Sequence, residues 1–201
     1  MPRAGLSRPA VVTAAADLAD EAGFDRLSLA ALAARLGVRL PSLYKHIDSL
    51  DGLRRDVAVL AVTELGAAMS AAAIGRAGSD ALRAVANAYR DYGHTHPGRY
   101  AATVRAPAAD DAEHTAAAEA VLRVVLAVLA GYGLTGNDAI DATRALRATL
   151  HGFVALESGG GFGMPVDVDR SYTRLVDGFD ASLHRWAELD QPSTSLEKTP
   201  R

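Results

Sequence analysis

The sequence predicts an all-helical protein: an N-terminal three-helix head followed by a larger helical body. Three observations carry this. Hydrophobic residues make up 49% of the 201 and recur at steps of three and four. Alanine supplies about a fifth of the chain, and β-branched clusters bounded by turns are missing. Glycine and proline punctuate the periodic stretches where helices start and stop.

In chain order, Pro9 suits a first helical turn, and Val12, Ala15, Ala16, Ala19 and Ala22 follow at helical spacing until Gly23, read as a left-handed cap. Ser28 is a good N-cap for a second helix with Leu29, Leu32, Ala33 and Leu36 on one side, and Gly37 stops it. A short third helix starts near Leu40 or Pro41 and turns Leu43 and Ile47 inward. A fourth runs from Asp51 past Met69 on a stripe of Leu53, Val57, Leu60, Ala61, Leu65 and Ala68.

After a Gly75–Gly78 break, helices are expected over 80–95, closed by Pro97-Gly98, over 99–105, closed by Pro107, and over 111–129, ending at Gly131-Tyr132-Gly133. The next begins after Asn137 and reaches Glu157, with Ile140, Leu146, Leu150, Phe153 and Val154 as apolar positions. A glycine loop from Ser158 to Pro165 leads to the last, capped by Asp167, where Tyr172, Leu175, Val176, Phe179, Leu183 and Trp186 form the cleanest stripe in the chain. Domains are therefore expected at 1–50 and 51–190, with a polar, proline-bearing disordered tail at 191–201.

Composition excludes several classes. The apolar content suffices for a core, so global disorder is excluded. With no cysteine there is no disulfide, thiolate nucleophile, iron–sulfur cluster or cysteine-held zinc. Residues Met1–Arg8 hold no apolar run, so no secretory signal is expected. The longest apolar run, Val121–Gly131 interrupted by Arg123, falls short of the roughly 20 residues of a spanning helix. A soluble cytoplasmic protein without a membrane partner is expected.

Net charge is −3, yet residues 1–60 hold eight basic and seven acidic side chains (+1) while the remainder holds thirteen and seventeen (−4). From Arg26 to Ile47 there are Arg26, Arg35, Arg39 and Lys45 and no acid; Arg3 and Arg8 lie in another acid-free stretch. Basicity concentrated in one place is what a phosphate-facing surface requires.

That stretch also reads as a helix-turn-helix: a capped helix, Gly37 and Val38 at the corner, then a short helix. Leu32, Ala33, Leu36, Val38, Leu43 and Ile47 close the inner side and leave Arg39, Ser42, Lys45 and His46 outward. In the major groove, Arg39 would grip a guanine edge with two hydrogen bonds, and Leu40 and Pro41 would meet thymine methyls beside Ser42. Tyr44, Lys45, His46 and the Ser28 cap would contact phosphates, which set register.

These residues, from Gly37-Val38-Arg39-Leu40-Pro41-Ser42-Leu43-Tyr44-Lys45-His46-Ile47 back through Ser28-Leu29-Ala30-Ala31-Leu32-Ala33, closely resemble the DNA-binding domain of TetR-type transcriptional repressors over roughly residues 8–60. The resemblance implies DNA contact by Ser42, Tyr44 and His46 and base reading at Arg39 and Leu40. Where the family usually carries a phosphate-binding lysine, this chain has Leu50, for which Arg54 or Arg55 would have to compensate. Leu150-His151-Gly152 and the Gly160–Met164 loop resemble a C-terminal variant of the family that carries Trp-His-Gly.

The resemblance further implies a ligand-responsive repressor, without cofactor, that binds a double-stranded operator as a homodimer through a four-helix bundle and is released by a small-molecule inducer. For the pocket wall, Tyr89, Tyr92, Tyr100, His151 and Phe153 combine aromatic surface with polar groups. For the dimer face, Leu146, Leu150, Tyr172, Leu175, Val176, Phe179 and Leu183 are candidates, since both stripes are wide and Gly152 permits close helix approach.

Other readings have weaker footing. His94, His96 and His114 with Asp110, Asp111 and Glu113 lack ligand spacing and read as solvated helix ends, so no metal is expected. The Gly159–Gly163 run lacks the strand and Gly-Lys-Ser/Thr ending of a phosphate loop. No nucleophile elbow is present, so an enzyme is not expected. The alternatives are a helical small-molecule-binding protein or enzyme with an incidental corner, and a scaffold using the Tyr172–Trp186 face; neither needs the acid-free stretch.

Overall fold

The computed structural model describes residues 6–189. Its regular structure is helical: α1 (Arg8–Ala22), α2 (Leu29–Leu36), α3 (Leu40–Leu43), α4 (Leu50–Ala73), α5 (Gly78–Thr95), α6 (Pro97–Ala102), α7 (Ala112–Ala130), α8 (Gly136–Ser158) and α9 (Val168–Leu189), with a 3-10 turn at Phe24–Arg26. The tail expected at 191–201 lies outside the described residues.

Side-chain caps start four of these helices. Ser7, Ser28, Ser49 and Asp111 each accept a backbone N–H from the first turn of α1, α2, α4 and α7. Two terminators differ from expectation. Gly23 has φ 97° and ψ 140°, a positive φ outside the left-handed helical well, because the chain leaves α1 extended before the 3-10 turn. Pro97 opens α6 rather than closing α5, and α6 ends at Ala102, before Arg105.

Two hydrophobic cores share α4. Leu53, Val57, Ala58 and Ala61 join Val11, Ala15, Leu32, Leu43 and Ile47 in the head. Leu65 and Met69, two turns on, join Leu82, Val85, Leu129, Leu146 and Leu183 in the body. A boundary at residue 50 therefore separates no cores, since α4 runs through both. By length and composition α4 is apolar enough to cross a membrane, but half of that stretch is buried here, as befits a central core helix.

Head and body also meet where α1 crosses α6. A Cβ on Gly98 would lie 2.0 Å from the Ala19 carbonyl oxygen, so only glycine permits the approach. Beside it Arg99, 7% exposed, reaches Asp17 and Asp20 of α1, while its own N–H donates to Asp20 Oδ1 at 2.8 Å.

Candidate nucleic-acid interface and cavity

The corner between α2 and α3 is closed by its own backbone. Gly37 adopts φ 65°, ψ 31°, its N–H donates to Ala34 O at 3.1 Å, and the Val38 N–H donates to Ala33 O at 3.0 Å. Leu32, Ala33, Leu43 and Ile47 are buried, which fixes the outward direction of the residues between them. Arg39, at the N-cap of α3, is exposed with Leu40, Pro41, Tyr44 and Lys45; Ser42 and His46 are half-buried, and Ser28 caps α2. Tyr44 is 53% exposed.

Not every nearby cation is available. Arg35 pairs with Glu21 at 2.6 Å. Arg54 donates to the carbonyls of Asp25 and Leu27 at 2.9 and 3.5 Å, holding the segment before α2 against α4. Arg55 is bound by Asp56, Asp111 and Glu113. Both arginines are thus engaged within the chain, and Leu50, where the family usually carries a lysine, is half-buried against the head core.

The body holds an open cavity of about 400 Å³ between α4, α5, α7, α8 and the segment after α6. Its apolar wall includes Val62, Leu65, Met69, Val125, Leu146 and Leu150, and Tyr89, Thr103, His114, Thr143 and Arg147 are among its polar members. Of the aromatic residues expected at a pocket, Tyr89 lines this space. Tyr100 stands behind it, its hydroxyl donating to the Tyr89 oxygen at 3.3 Å and lying 2.7 Å from His151 Nδ1. Tyr92 instead donates to Glu64 at 3.0 Å on another side of α5. Phe153 packs between Phe162 and Tyr172, with centroids at 4.8 and 5.0 Å.

His114 is not a solvated helix end. It is 1% exposed, burial lowers its pKa, and Nε2 has no hydrogen-bond partner. The other two histidines serve different elements: His94 Nε2 lies 2.7 Å from Glu157 Oε2, and His96 Nδ1 lies 3.1 Å from Asp20 Oδ2.

Comparison with known proteins decides the family. The description "Bacterial regulatory proteins, tetR family" matches residues 11–57, and "Tetracyclin repressor-like, C-terminal domain" matches residues 82–179. The chain belongs to the TetR family. It is 42% identical over 183 residues (90% of this chain, 84% of the relative) to the uncharacterized HTH-type transcriptional regulator Rv0681 of Mycobacterium tuberculosis. It is 35% identical over 183 residues to YobS of Bacillus subtilis, also an uncharacterized HTH-type regulator, covering 90% and 95% of the two chains. Among solved structures, a Rhodococcus sp. RHA1 protein of unknown function superposes with TM-score 0.76 at 25% identity, covering 92% and 99%. A TetR variant from Acinetobacter baumannii AYE in complex with minocycline gives TM-score 0.69 at 21%, covering 91% and 99%, and shares the fold. The protein is thus a DNA-binding transcription regulator of the TetR family.

As in sequence, the body of this TetR-family chain has two long terminal helices, and most of the residues expected at their interface are already packed within the protomer. Leu146, Leu150, Tyr172, Val176 and Leu183 are buried inside the protomer, and Leu175 and Phe179 pack on its core. These seven hold α8 and α9 to the rest of the body. The outer faces carry Ala148, Gly152 and Ala155 on α8 and Arg174, Gly178 and Ala181 on α9. A Cβ at Gly152 or Gly178 meets nothing within 4 Å, so the close approach expected at Gly152 does not occur within one protomer; Gly93, whose Cβ would lie 2.7 Å from Val154, makes it instead.

Sequence reasoning missed most of the cavity wall. Val62, Leu65, Met69 and Leu146 carry the same helical period as core residues, and period alone does not tell a packed face from one facing a void. His114 was the one detectable signal, a histidine beside alanines and a capping aspartate.

Proposed function

We propose that the protein is a ligand-responsive repressor that acts as a homodimer on a pseudo-palindromic operator in the cytoplasm, and that a small molecule in the 400 Å³ cavity releases it. The observation that carries this is the ionic bridge from the cavity's α7 to the DNA-reading head: Asp111 binds Arg55, Arg55 binds Asp56, and Asp56 receives Arg8 of α1 at 2.9 Å. A molecule that shifts α7 moves this bridge, so DNA and effector select different arrangements of the heads and each weakens the other. The minocycline complex of a fold relative supports reading the cavity as an effector site.

In the proposed dimer the small residues on the outer faces of α8 and α9 meet their partner copies across a two-fold axis, presenting two α3 helices about one DNA turn (~34 Å) apart. Arg39, Leu40, Pro41 and Ser42 read bases, while Ser28, Tyr44, Lys45 and His46 hold phosphates. No enzymatic step is assigned.

The test is fluorescence anisotropy with labelled duplex from the region upstream of the protein's own gene, at two salt concentrations. Small molecules that co-purify with the protein are then added. Sequence-preferring binding that those molecules reverse is expected. Binding to all duplexes alike, or an upstream complex that none of them weakens, overturns the reading.

A further inference from the structure

We propose that the cavity takes a small, largely apolar molecule bearing one O–H or N–H donor, and that Nε2 of His114 accepts that hydrogen bond. This rests on the reading of the cavity as the effector site and names the chemistry it selects.

Three buried side-chain atoms among the described residues have no hydrogen-bond partner: Arg54 Nε, Arg99 Nε and His114 Nε2. Of these three residues only His114 lines the cavity. Of the other polar wall groups, Thr115 is half-buried and Glu119 exposed, and four more are occupied by the chain itself. Thr103 Oγ1 donates to Tyr100 O at 2.7 Å and Thr143 Oγ1 to Ala139 O at 2.7 Å. Arg105 is held by both oxygens of Asp51, and Arg147 donates to Thr103 O at 3.4 Å. A buried polar atom with no partner is costly, and a bound molecule that satisfies it recovers that cost.

The tautomer follows from the neighbours. His114 Nδ1 faces Asp111 Oδ2 at 4.0 Å, and that carboxylate is ionised because Arg55 binds it. A negative charge on that side favours the proton on Nδ1, which leaves Nε2 a lone pair. Burial, which lowers the pKa of the ring, acts in the same sense. A lone pair accepts from a hydroxyl, phenol or amide N–H and repels a carboxylate. The remaining wall (Val62, Leu65, Met69, Val125 and Leu146 among it) demands an apolar body.

The full-length protein is titrated by calorimetry with 4-hexylphenol, 4-hexylanisole and hexylbenzene, which share a body and differ in the donor. The phenol is expected to bind about tenfold or more tighter than the ether, because the ether leaves Nε2 unpaired. In His114→Phe that preference disappears while hexylbenzene binding persists, and His114→Gln, which keeps an acceptor, retains part of it. Equal affinity of phenol and ether for the unmodified protein, or no binding by any of the three, overturns the assignment without relying on a variant that folds. Anisotropy on the labelled duplex separates the two readings. A phenol preference with unchanged DNA affinity keeps His114 and removes the inducer role. Release of DNA by all three probes without preference keeps the inducer role and removes His114.

Discussion

Arg55, from the second turn of α4, grips the carboxylate of Asp111 at the N-cap of α7, with Nε donating to Oδ2 at 2.7 Å. The same carboxylate caps α7 by accepting the His114 N–H at 3.0 Å, so one side chain ties helix start, cavity and head together. Arg55 also lies 3.0 Å from Asp56, which receives Arg8, making a continuous ionic path from α7 to α1.

A pH dependence follows. The Arg55 guanidinium, helped by the His114 N–H, holds the Asp111 carboxyl well below the usual carboxylate range. In the unfolded chain the same group returns to about 3.9. Unfolding therefore takes up a proton below that value, so the contribution to stability is complete above about pH 4 and is lost as pH falls toward the native pKa. Urea unfolding of wild type and Asp111→Asn should differ at about pH 6 and converge as pH drops below about 4. Curves that stay equally far apart would show that the pair carries no linked proton.

The α1–α6 crossing gives a sharper mutational contrast. Gly98→Ala places a Cβ 2.0 Å from a backbone carbonyl that no rotamer change can move, so the helices must separate at about 3 kcal/mol or more. Gly37→Ala meets open space and suffers only its positive φ, about 1 kcal/mol. Urea midpoints rank the two, and a small effect at Gly98 would mean that head and body are not pressed together there.

How much of this was legible in sequence follows from how local each feature is. Gly37-Val38, the Ser28 cap and the inward Leu43 and Ile47 obey rules that span a few residues, and the structure reproduces them. The apolar stripe of α9 was equally visible, but a stripe states that a face is covered and not by what. Tyr172 is covered within the protomer, its hydroxyl donating to Ala86 O. The division of α4 between two cores was invisible because its period does not change at residue 61. The sequence position of His114, one turn into a helix, suggests solvent, and only the packing of that helix against α4 makes it a buried cavity wall. Arg54 and Arg55 looked free for the same reason, since their partners Asp25, Asp111 and Glu113 are distant in sequence from one or both of them.

Leu50 is the family departure with a measurable consequence. It stands at the first position of α4, immediately after the Ser49 cap. In Leu50→Lys the aliphatic stem covers the same apolar neighbours while the ammonium reaches outward. A cation at a helix start costs about 0.3–1 kcal/mol of stability. Duplex affinity should nevertheless rise, and the slope of log K against log salt should steepen by about 0.9 per phosphate gained. An unchanged slope would show that the start of α4 stands clear of the DNA backbone.

The outer faces of α8 and α9 separate folding from assembly. Gly152→Ala fills empty space in a helix interior and should stabilise the protomer by about 1 kcal/mol. Gly178→Leu adds a bulky group on the outer face of α9, where a Cβ meets nothing within 4 Å, and should break the proposed dimer while leaving helicity intact. Sedimentation velocity with circular dichroism reads both. A Gly178→Leu protein that still sediments as a dimer places the subunit contact elsewhere.

The base-reading and phosphate-holding assignments divide by salt and sequence. Arg39 sits at the N-cap of α3 with its side chain exposed, the position from which a guanidinium meets a guanine edge. Arg39→Ala should cost about 1–3 kcal/mol on the operator and little on random duplex, narrowing the gap between them. Lys45, exposed in the turn after α3, should weaken both duplexes alike when changed to alanine and flatten the salt slope by about 1. Anisotropy on operator and scrambled duplex across a salt series measures all four quantities. If both variants lose affinity equally on both duplexes with the same slope change, Arg39 is a phosphate contact and base reading passes to Leu40, Pro41 and Ser42.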